Sequence, residues 1–167
     1  MIKKLHRLEW FLGLVFLQVL VLNQMHIEGY ATPFFYIYFI LKIKSKVDRN
    51  TLMLWAFVLG LTIDIFGNTP GQNAAAATCL AFFRTPLMRL VTLRDMDEAF
   101  RPSIKTLGFA SFFRYSLLTC SLFCTVRLLI DAFSFLDVTV LIMKIITSTL
   151  STLLCVLCAE SIGREKV

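Results

Sequence analysis

Few residues of this sequence are able to do chemistry. Four ionisable residues lie inside long apolar runs, where burial in lipid carries the largest free-energy cost. They are Asp64, Arg84, Arg114 and Lys144. An ionisable side chain deep in lipid costs about 2.5–3.5 kcal/mol even on lenient insertion scales, so each of them needs a partner or a function. We expect Asp64 to face the interior of a helix bundle, where it binds either Lys144 or the backbone amides of the turn at residues 67–71.

Arg84 and Arg114 fall in those halves of their apolar segments that lie nearest to basic loops. A guanidinium group at that depth can extend along its own side chain to the lipid headgroups. We therefore expect both arginines to reach the membrane surface.

The sequence contains no set of residues that is typical of a catalytic or metal site. His26 and Glu28 offer only two candidate ligands in one loop, and no glycine-rich phosphate loop follows a strand. Cys155 and Cys158 are spaced as C-x-x-C, but the surrounding stretch is apolar and lacks the glycines, prolines or histidines of a redox or zinc site, which favours a packing role. We predict no enzyme activity, no metal and no cofactor.

The apolar runs indicate a membrane protein. Hydrophobic residues make up 57% of the 167 residues, more than a soluble core of this size can bury. The formal charge of +6 does not indicate nucleic-acid binding, because the basic residues stand between apolar runs rather than on one wettable face. Because a helix needs about 20 residues to cross a bilayer, we predict a single all-α membrane domain over residues 1–167. Its bundle of about six transmembrane helices is expected at approximately 8–22, 30–43, 51–67, 73–91, 104–129 and 137–160.

The positions of lysine and arginine predict how the chain threads the membrane. The connections at residues 23–32 and 67–73 contain neither residue, and only Arg127 borders the third connection on that side. The other connections and both ends of the chain are basic. Because cytoplasmic loops retain positive charge, we predict a multi-pass protein with both termini in the cytoplasm.

A small-residue face opens the fourth predicted span. Alanines fill positions 74–77 directly after Gly71. Small residues such as Ala74 and Ala77 let another backbone approach closely in lipid, where packing drives helix association. The neighbour is either another helix of this chain or a different protein.

A glycine, an aspartate four residues later and a Pro-Gly turn form the most distinctive pattern of the chain. Gly60, Asp64, Pro70 and Gly71 occupy these positions, after a short segment rich in aromatic residues. With this pattern the chain resembles the family of the rod shape-determining protein MreD, although Gln72 stands where members commonly have leucine.

The resemblance implies a non-enzymatic membrane component of the bacterial cell elongation machinery, located in the cytoplasmic (inner) membrane. Such a component binds the membrane protein MreC and through it supports the peptidoglycan synthases and MreB filaments that control cell shape. The implied fold is similar to the substrate-binding subunits of ECF-type vitamin transporters. The candidate structural or interaction residues are Gly60, Asp64, Pro70, Gly71, Ala74, Ala77, Arg84, Arg114 and Lys144.

Two other classes stay open on the sequence. The first is a substrate-binding subunit of a vitamin or metabolite transporter, which would hold a cavity lined by polar groups toward the exported side. The second is a small membrane-embedded enzyme acting on lipid, which would need a histidine or carboxylate cluster at the interface. The short exported loops offer few such groups, so we favour the interaction protein.

Overall fold

The computed structural model describes Gly13, Gln18 and residues 32–91, 100–132 and 137–164. These residues form helices and connections, and no strand occurs among them. Four of the helices, α2, α3, α5 and α6, are long and apolar enough to cross a membrane. The described part of the protein is therefore all-helical, and its four long helices indicate a membrane protein, as the composition predicts. The helices are α1 (Ile37–Lys42), α2 (Arg49–Gly67), α3 (Gln72–Val91), α4 (Ile104–Leu107), α5 (Phe109–Asp131) and α6 (Val138–Arg164).

The long helices lie close to the spans predicted from apolar runs. Helix α2 covers the span predicted at 51–67, α3 covers 73–91, and α6 covers 137–160 except its first residue and continues to Arg164. The span predicted at 8–22 lies outside the described residues apart from Gly13 and Gln18.

The span predicted at 104–129 is divided at Gly108, which the sequence analysis did not anticipate. Gly108 has φ 77° and ψ 160°, a conformation that residues with a Cβ rarely adopt. Before it, Ser103 and Thr106 form a capping box in which each side chain binds the backbone amide of the other residue. The chain therefore makes the single turn α4 and then restarts as α5.

Within the span predicted at 30–43, residues 32–36 are not helical and α1 is the helical part. Six helical residues rise about 9 Å, far less than the roughly 30 Å of a hydrocarbon core. Residues 32–43, here called the central segment, are nevertheless largely buried: Tyr36, Ile37 and Ile40 are 0% exposed. Non-helical backbone at membrane depth is tolerated only where protein covers it, and the long helices cover it here.

The long helices surround the central segment in chain order. Helices α2 and α3 form an antiparallel hairpin, α5 packs on α3, and α6 packs on α5. The ring of Phe123 on α5 lies 5.6 Å from the ring of Tyr36 and 5.4 Å from that of Phe34. Large apolar side chains on the outer surface, such as Ile65 at 72% exposure, face where the lipid lies.

The basic connections meet at one end of the bundle. The Ser45 amide donates to the Phe100 carbonyl over 2.9 Å, which joins the connection before α2 to the one before α4. Lys42 forms an ion pair with Glu160 near the end of α6. The turn between α2 and α3 lies at the opposite end of these two helices and contains no lysine or arginine.

Gly60 sets the distance between α2 and α3. A Cβ at this position would lie 2.5 Å from the Ala74 Cα and 2.6 Å from the Asn73 carbonyl oxygen, both of which are backbone atoms. Ala74 and Ala77 are buried as well. The small-residue face predicted at the start of the fourth span is therefore used within this chain, at least at Ala74, and its neighbour is α2.

The Gly60→Ala variant should be destabilised by about 1–3 kcal/mol, the usual cost of forcing extra atoms into a packed site, because the two backbones must move apart. Thermal unfolding of the purified protein in detergent measures this change. Gly13→Ala is the matched control, since Gly13 is exposed and a Cβ there meets no atom within 4 Å. An unfolding temperature for Gly60→Ala equal to that of Gly13→Ala would contradict the close approach.

Candidate functional site

Asp64 lies in the last turn of α2, and its carboxylate caps the start of α3. Its Oδ1 accepts hydrogen bonds from the Thr69 hydroxyl at 2.7 Å, the Asn73 amide at 3.0 Å and the Asn73 side chain at 2.8 Å, and its Oδ2 accepts from the Ala74 amide at 2.9 Å. The first amides of a helix lack intrahelical partners and carry partial positive charge, so they stabilise a carboxylate. Asp64, only 4% exposed, is thereby solvated by the protein itself.

The turn between α2 and α3 has the shape that this cap requires. Asn68 has φ 51° and its amide binds the Asp64 carbonyl, which ends α2 in a left-handed residue. Gly71 has φ 75°, which glycine adopts without strain. Pro70 lies exposed between them. The Gly60, Asp64, Pro70 and Gly71 pattern therefore forms one continuous helical hairpin.

We expected Asp64 to bind either Lys144 or backbone amides, and in the structure it binds backbone amides. The amides are those of Asn73 and Ala74, just beyond the turn at 67–71 where the sequence analysis placed them. Among the described residues the ion pairs are Lys42 with Glu160 and Arg127 with Asp131, so the expected pairing with Lys144 does not form. Lys144 is half-buried on α6.

Asn73 connects the Asp64 cap to the central segment. It is 4% exposed, and its Oδ1 accepts a hydrogen bond of 2.9 Å from the hydroxyl of the fully buried Tyr36. The sequence analysis missed this residue. The available signal was an amide side chain in the first turn of an alanine-rich helix, nine positions after the buried aspartate.

Gln18 binds the non-helical part of the central segment on one side. Its Nε2 donates to the Pro33 carbonyl at 3.0 Å, and its Oε1 accepts from the Phe35 amide at 2.9 Å. Gln18 is 0% exposed. The Gln18 side chain thus supplies both the donor and the acceptor that a neighbouring strand or a helical turn would otherwise give to this backbone.

Helix α6 binds the residues of the same non-helical stretch that Gln18 does not bind. The Phe34 amide donates to Thr152 Oγ1 at 3.0 Å, and the Thr32 amide donates to Ser148 Oγ at 3.3 Å. Ser148 and Thr152 are separated by one helical turn, so they present both hydroxyls on one face. Neither residue was singled out in the sequence, because a serine or threonine in an apolar helix usually binds its own helix.

Arg84 binds the other end of α1. Its guanidinium donates to the Leu41 carbonyl at 3.4 Å and to the Ile43 carbonyl, and its Nε donates to the Tyr115 hydroxyl at 3.2 Å. The last carbonyls of a helix carry partial negative charge, which favours a cation there. Arg84 is 1% exposed, so the expectation that it extends to the headgroups is wrong. Arg114, by contrast, is exposed on α5.

Glu160 closes the basic end of the core. It is 7% exposed, its Oε2 accepts from the Tyr38 hydroxyl at 3.0 Å and pairs with Lys42, and its Oε1 accepts from the Ile104 amide at 3.2 Å. It joins α6 to both α1 and α4. The sequence analysis did not single it out, although an acidic residue near the end of a long apolar run was a usable signal.

The buried polar groups described above share one chemical role. Asp64 binds the amides that start α3, Arg84 binds the carbonyls that end α1, and Gln18 binds non-helical peptide groups of the central segment. Each of these side chains binds protein backbone, and Asp64 and Arg84 also bind neighbouring side chains. The arrangement can hold a broken helix at membrane depth.

The remaining candidate residues are those that the sequence offered as metal ligands or as a redox pair. His26 and Glu28 lie outside the described residues. Within the described ranges, no three histidine, cysteine or acidic side chains are grouped as metal ligands. Cys155 is half-buried and Cys158 exposed on α6, both as free thiols.

Comparisons with family models, with curated proteins and with solved structures find no match to this chain.

Replacing Asp64 with asparagine should destabilise the protein by about 1–3 kcal/mol, the cost of an unsatisfied buried group. The asparagine keeps one acceptor, but it turns an NH₂ group toward donors at Asn73 or Ala74. Thermal unfolding in detergent is the measurement. Asp48→Asn is the matched control, because Asp48 also precedes a helix but is exposed and makes no capping hydrogen bond.

Lys144→Gln tests the rejected pairing in the same assay and should leave the unfolding temperature unchanged. A loss at Lys144→Gln as large as that at Asp64→Asn would restore the ion pair as the explanation.

Arg84→Met should lower stability strongly, because it leaves the Leu41 and Ile43 carbonyls without a donor. Each buried carbonyl left unsatisfied costs about 1–3 kcal/mol. Arg114→Met removes the same group from an exposed site on α5 and should change stability by less than about 0.5 kcal/mol. Protein accumulation in membranes and unfolding in detergent measure both variants. Equal stability of the two variants would show that the Arg84 cap contributes nothing.

Proposed function

We propose that this chain is a non-enzymatic membrane component of the bacterial cell elongation machinery, which docks to MreC and supports peptidoglycan synthesis and cell-shape control. The observation that carries the proposal is the hairpin built by Gly60, Asp64, Pro70 and Gly71, the pattern in which the chain resembles the MreD family. Gly60 permits a backbone contact, Asp64 caps the next helix and Gly71 adopts a left-handed conformation. Each of these three residues therefore has a structural reason for its type.

The use of the buried charges supports a docking role rather than a chemical one. Asp64 and Arg84 each bind a helix end, and Glu160 pairs with Lys42. The outer surface of the long helices is apolar, with large side chains such as Leu54 and Leu90 exposed. In lipid, where packing drives association, a rigid bundle with an apolar exterior is suited to lateral contact with a membrane partner.

The proposal includes six crossings with both ends in the cytoplasm of a bacterial inner membrane, and a fold similar to ECF substrate-binding subunits. The four long helices account for four crossings. The predicted first span at 8–22 and the central segment would supply the other two. The contact between the connections that contain Ser45 and Phe100, at one end of the bundle, supports this threading.

Co-purification with MreC tests the proposal directly. An affinity-tagged chain, produced with MreC from the same source, should retain MreC after membrane solubilisation, and it should restore rod shape in cells depleted of their own MreD. The Gly13→Ala variant is expected to behave as the unmodified chain does. A normally accumulating chain that neither retains MreC nor restores rod shape would refute the proposal.

One observation favours the second candidate, a substrate-binding subunit of a vitamin or metabolite transporter. Broken helices at membrane depth, like the central segment, form the binding sites of many transporters. A thermal-shift screen of water-soluble vitamins on the purified chain separates the two candidates. A true ligand at 100 times its Kd would stabilise the protein by about 2.7 kcal/mol, whereas an interaction protein should show no saturable shift.

A further inference from the structure

We propose that a groove between α5 and α6 binds one acyl chain of an anionic phospholipid, from the leaflet at the basic end of the bundle. The groove has a volume of about 610 Å³ and is almost entirely apolar. It opens on the outer surface of the bundle, where Leu150 and Leu154 are 59% and 63% exposed. Its lining includes Phe113 of α5 and Leu150, Leu154, Leu157, Cys158 and Ser161 of α6.

The length of the groove fits one lipid chain. Leu150 and Ser161 are separated by about 16 Å along α6, which is close to half of the roughly 30 Å hydrocarbon core. The groove thus follows a single leaflet. A transmembrane helix of a partner or of a second copy would need a track of twice that length.

The side chains of the groove also favour a flexible chain over a helix. Helices that associate in lipid use small residues, which let backbones approach closely. Most of this groove is lined by leucines, such as Leu150, Leu153 and Leu157, together with Phe113. These branched and aromatic side chains hold a neighbouring backbone away but leave a furrow that hydrocarbon can fill.

The charges at the end of the groove specify an anionic headgroup. Ser161 follows Glu160, whose Oε1 binds the Ile104 amide, so α4 with its exposed Lys105 lies at this end. Arg114 is exposed and directly follows Phe113 of the groove wall in the sequence of α5. The Glu160 carboxylate is buried and paired with Lys42, so it does not oppose an anion there.

The test is native mass spectrometry on the delipidated full chain in detergent. The probes are phosphatidylglycerol and phosphatidylcholine with the same palmitoyl and oleoyl chains. We expect one phosphatidylglycerol to be retained in preference to phosphatidylcholine. Equal retention of the two lipids would overturn the proposal, since it would indicate only the general lipid coat of a membrane protein.

Two pairs of variants locate the site. Leu154→Trp fills the groove and should abolish selective retention, whereas Ile65→Trp places the same side chain on the outer face of α2 and should not. Arg114→Gln should weaken phosphatidylglycerol retention about fivefold, as expected for one basic residue near the membrane surface. Arg89→Gln, at an exposed arginine near the end of α3, is its control. Equal effects within either pair would overturn the proposal.

The exposed thiol of Cys158 gives a test on protein that has already folded. A bulky maleimide attached at this position should displace the phosphatidylglycerol, and a Cys158→Ala variant should be unaffected by the reagent. Oxidation of native membranes provides the opposing outcome. If Cys158 then joins two copies of the chain in high yield, a second copy occupies the groove and the lipid proposal is wrong.

Discussion

Inside a bilayer, a peptide group that lacks a partner within the protein has no water to bind. The described structure meets this requirement for residues 32–43 with side chains from several helices. The chain leaves the helix there, and side chains distant in sequence supply the missing partners: Gln18 and Thr152 for the non-helical residues, and Arg84 for the last carbonyls of α1. The long helices have to sit where these side chains reach, so the polar contacts determine the register of an otherwise apolar bundle.

Two buried charges of opposite sign lie in the protein without forming an ion pair with each other. Asp64 binds amides at the start of α3, and Arg84 binds carbonyls at the end of α1. Each charge therefore meets the partial charge of a helix end, which supplies fixed dipoles without needing a second long side chain. This arrangement explains how a membrane protein can bury an aspartate and an arginine without pairing them with each other.

The sequence could predict the class of fold and the environment of Asp64, because both depend on local information. Apolar runs of sufficient length give α2, α3 and α6, and an aspartate before a Pro-Gly turn is positioned to reach the next helix. The partners of Arg84 and Gln18 could not be predicted, since they are backbone groups of a segment that apolar patterning reads as a continuous helix. The break between α4 and α5 at Gly108 was not predicted for a related reason: hydropathy carries no information about backbone conformation.

The hydrogen bond from the Phe34 amide to Thr152 joins residues 118 positions apart. A ribosome adds about 5–20 residues per second, so roughly 6–24 s pass between synthesis of these two residues. During that interval the early segment enters the membrane machinery with peptide groups that its final neighbour has not yet reached. During biogenesis the Thr32 and Phe34 amides therefore need temporary partners, from the insertion apparatus or from water in the headgroup layer, until α6 is in place.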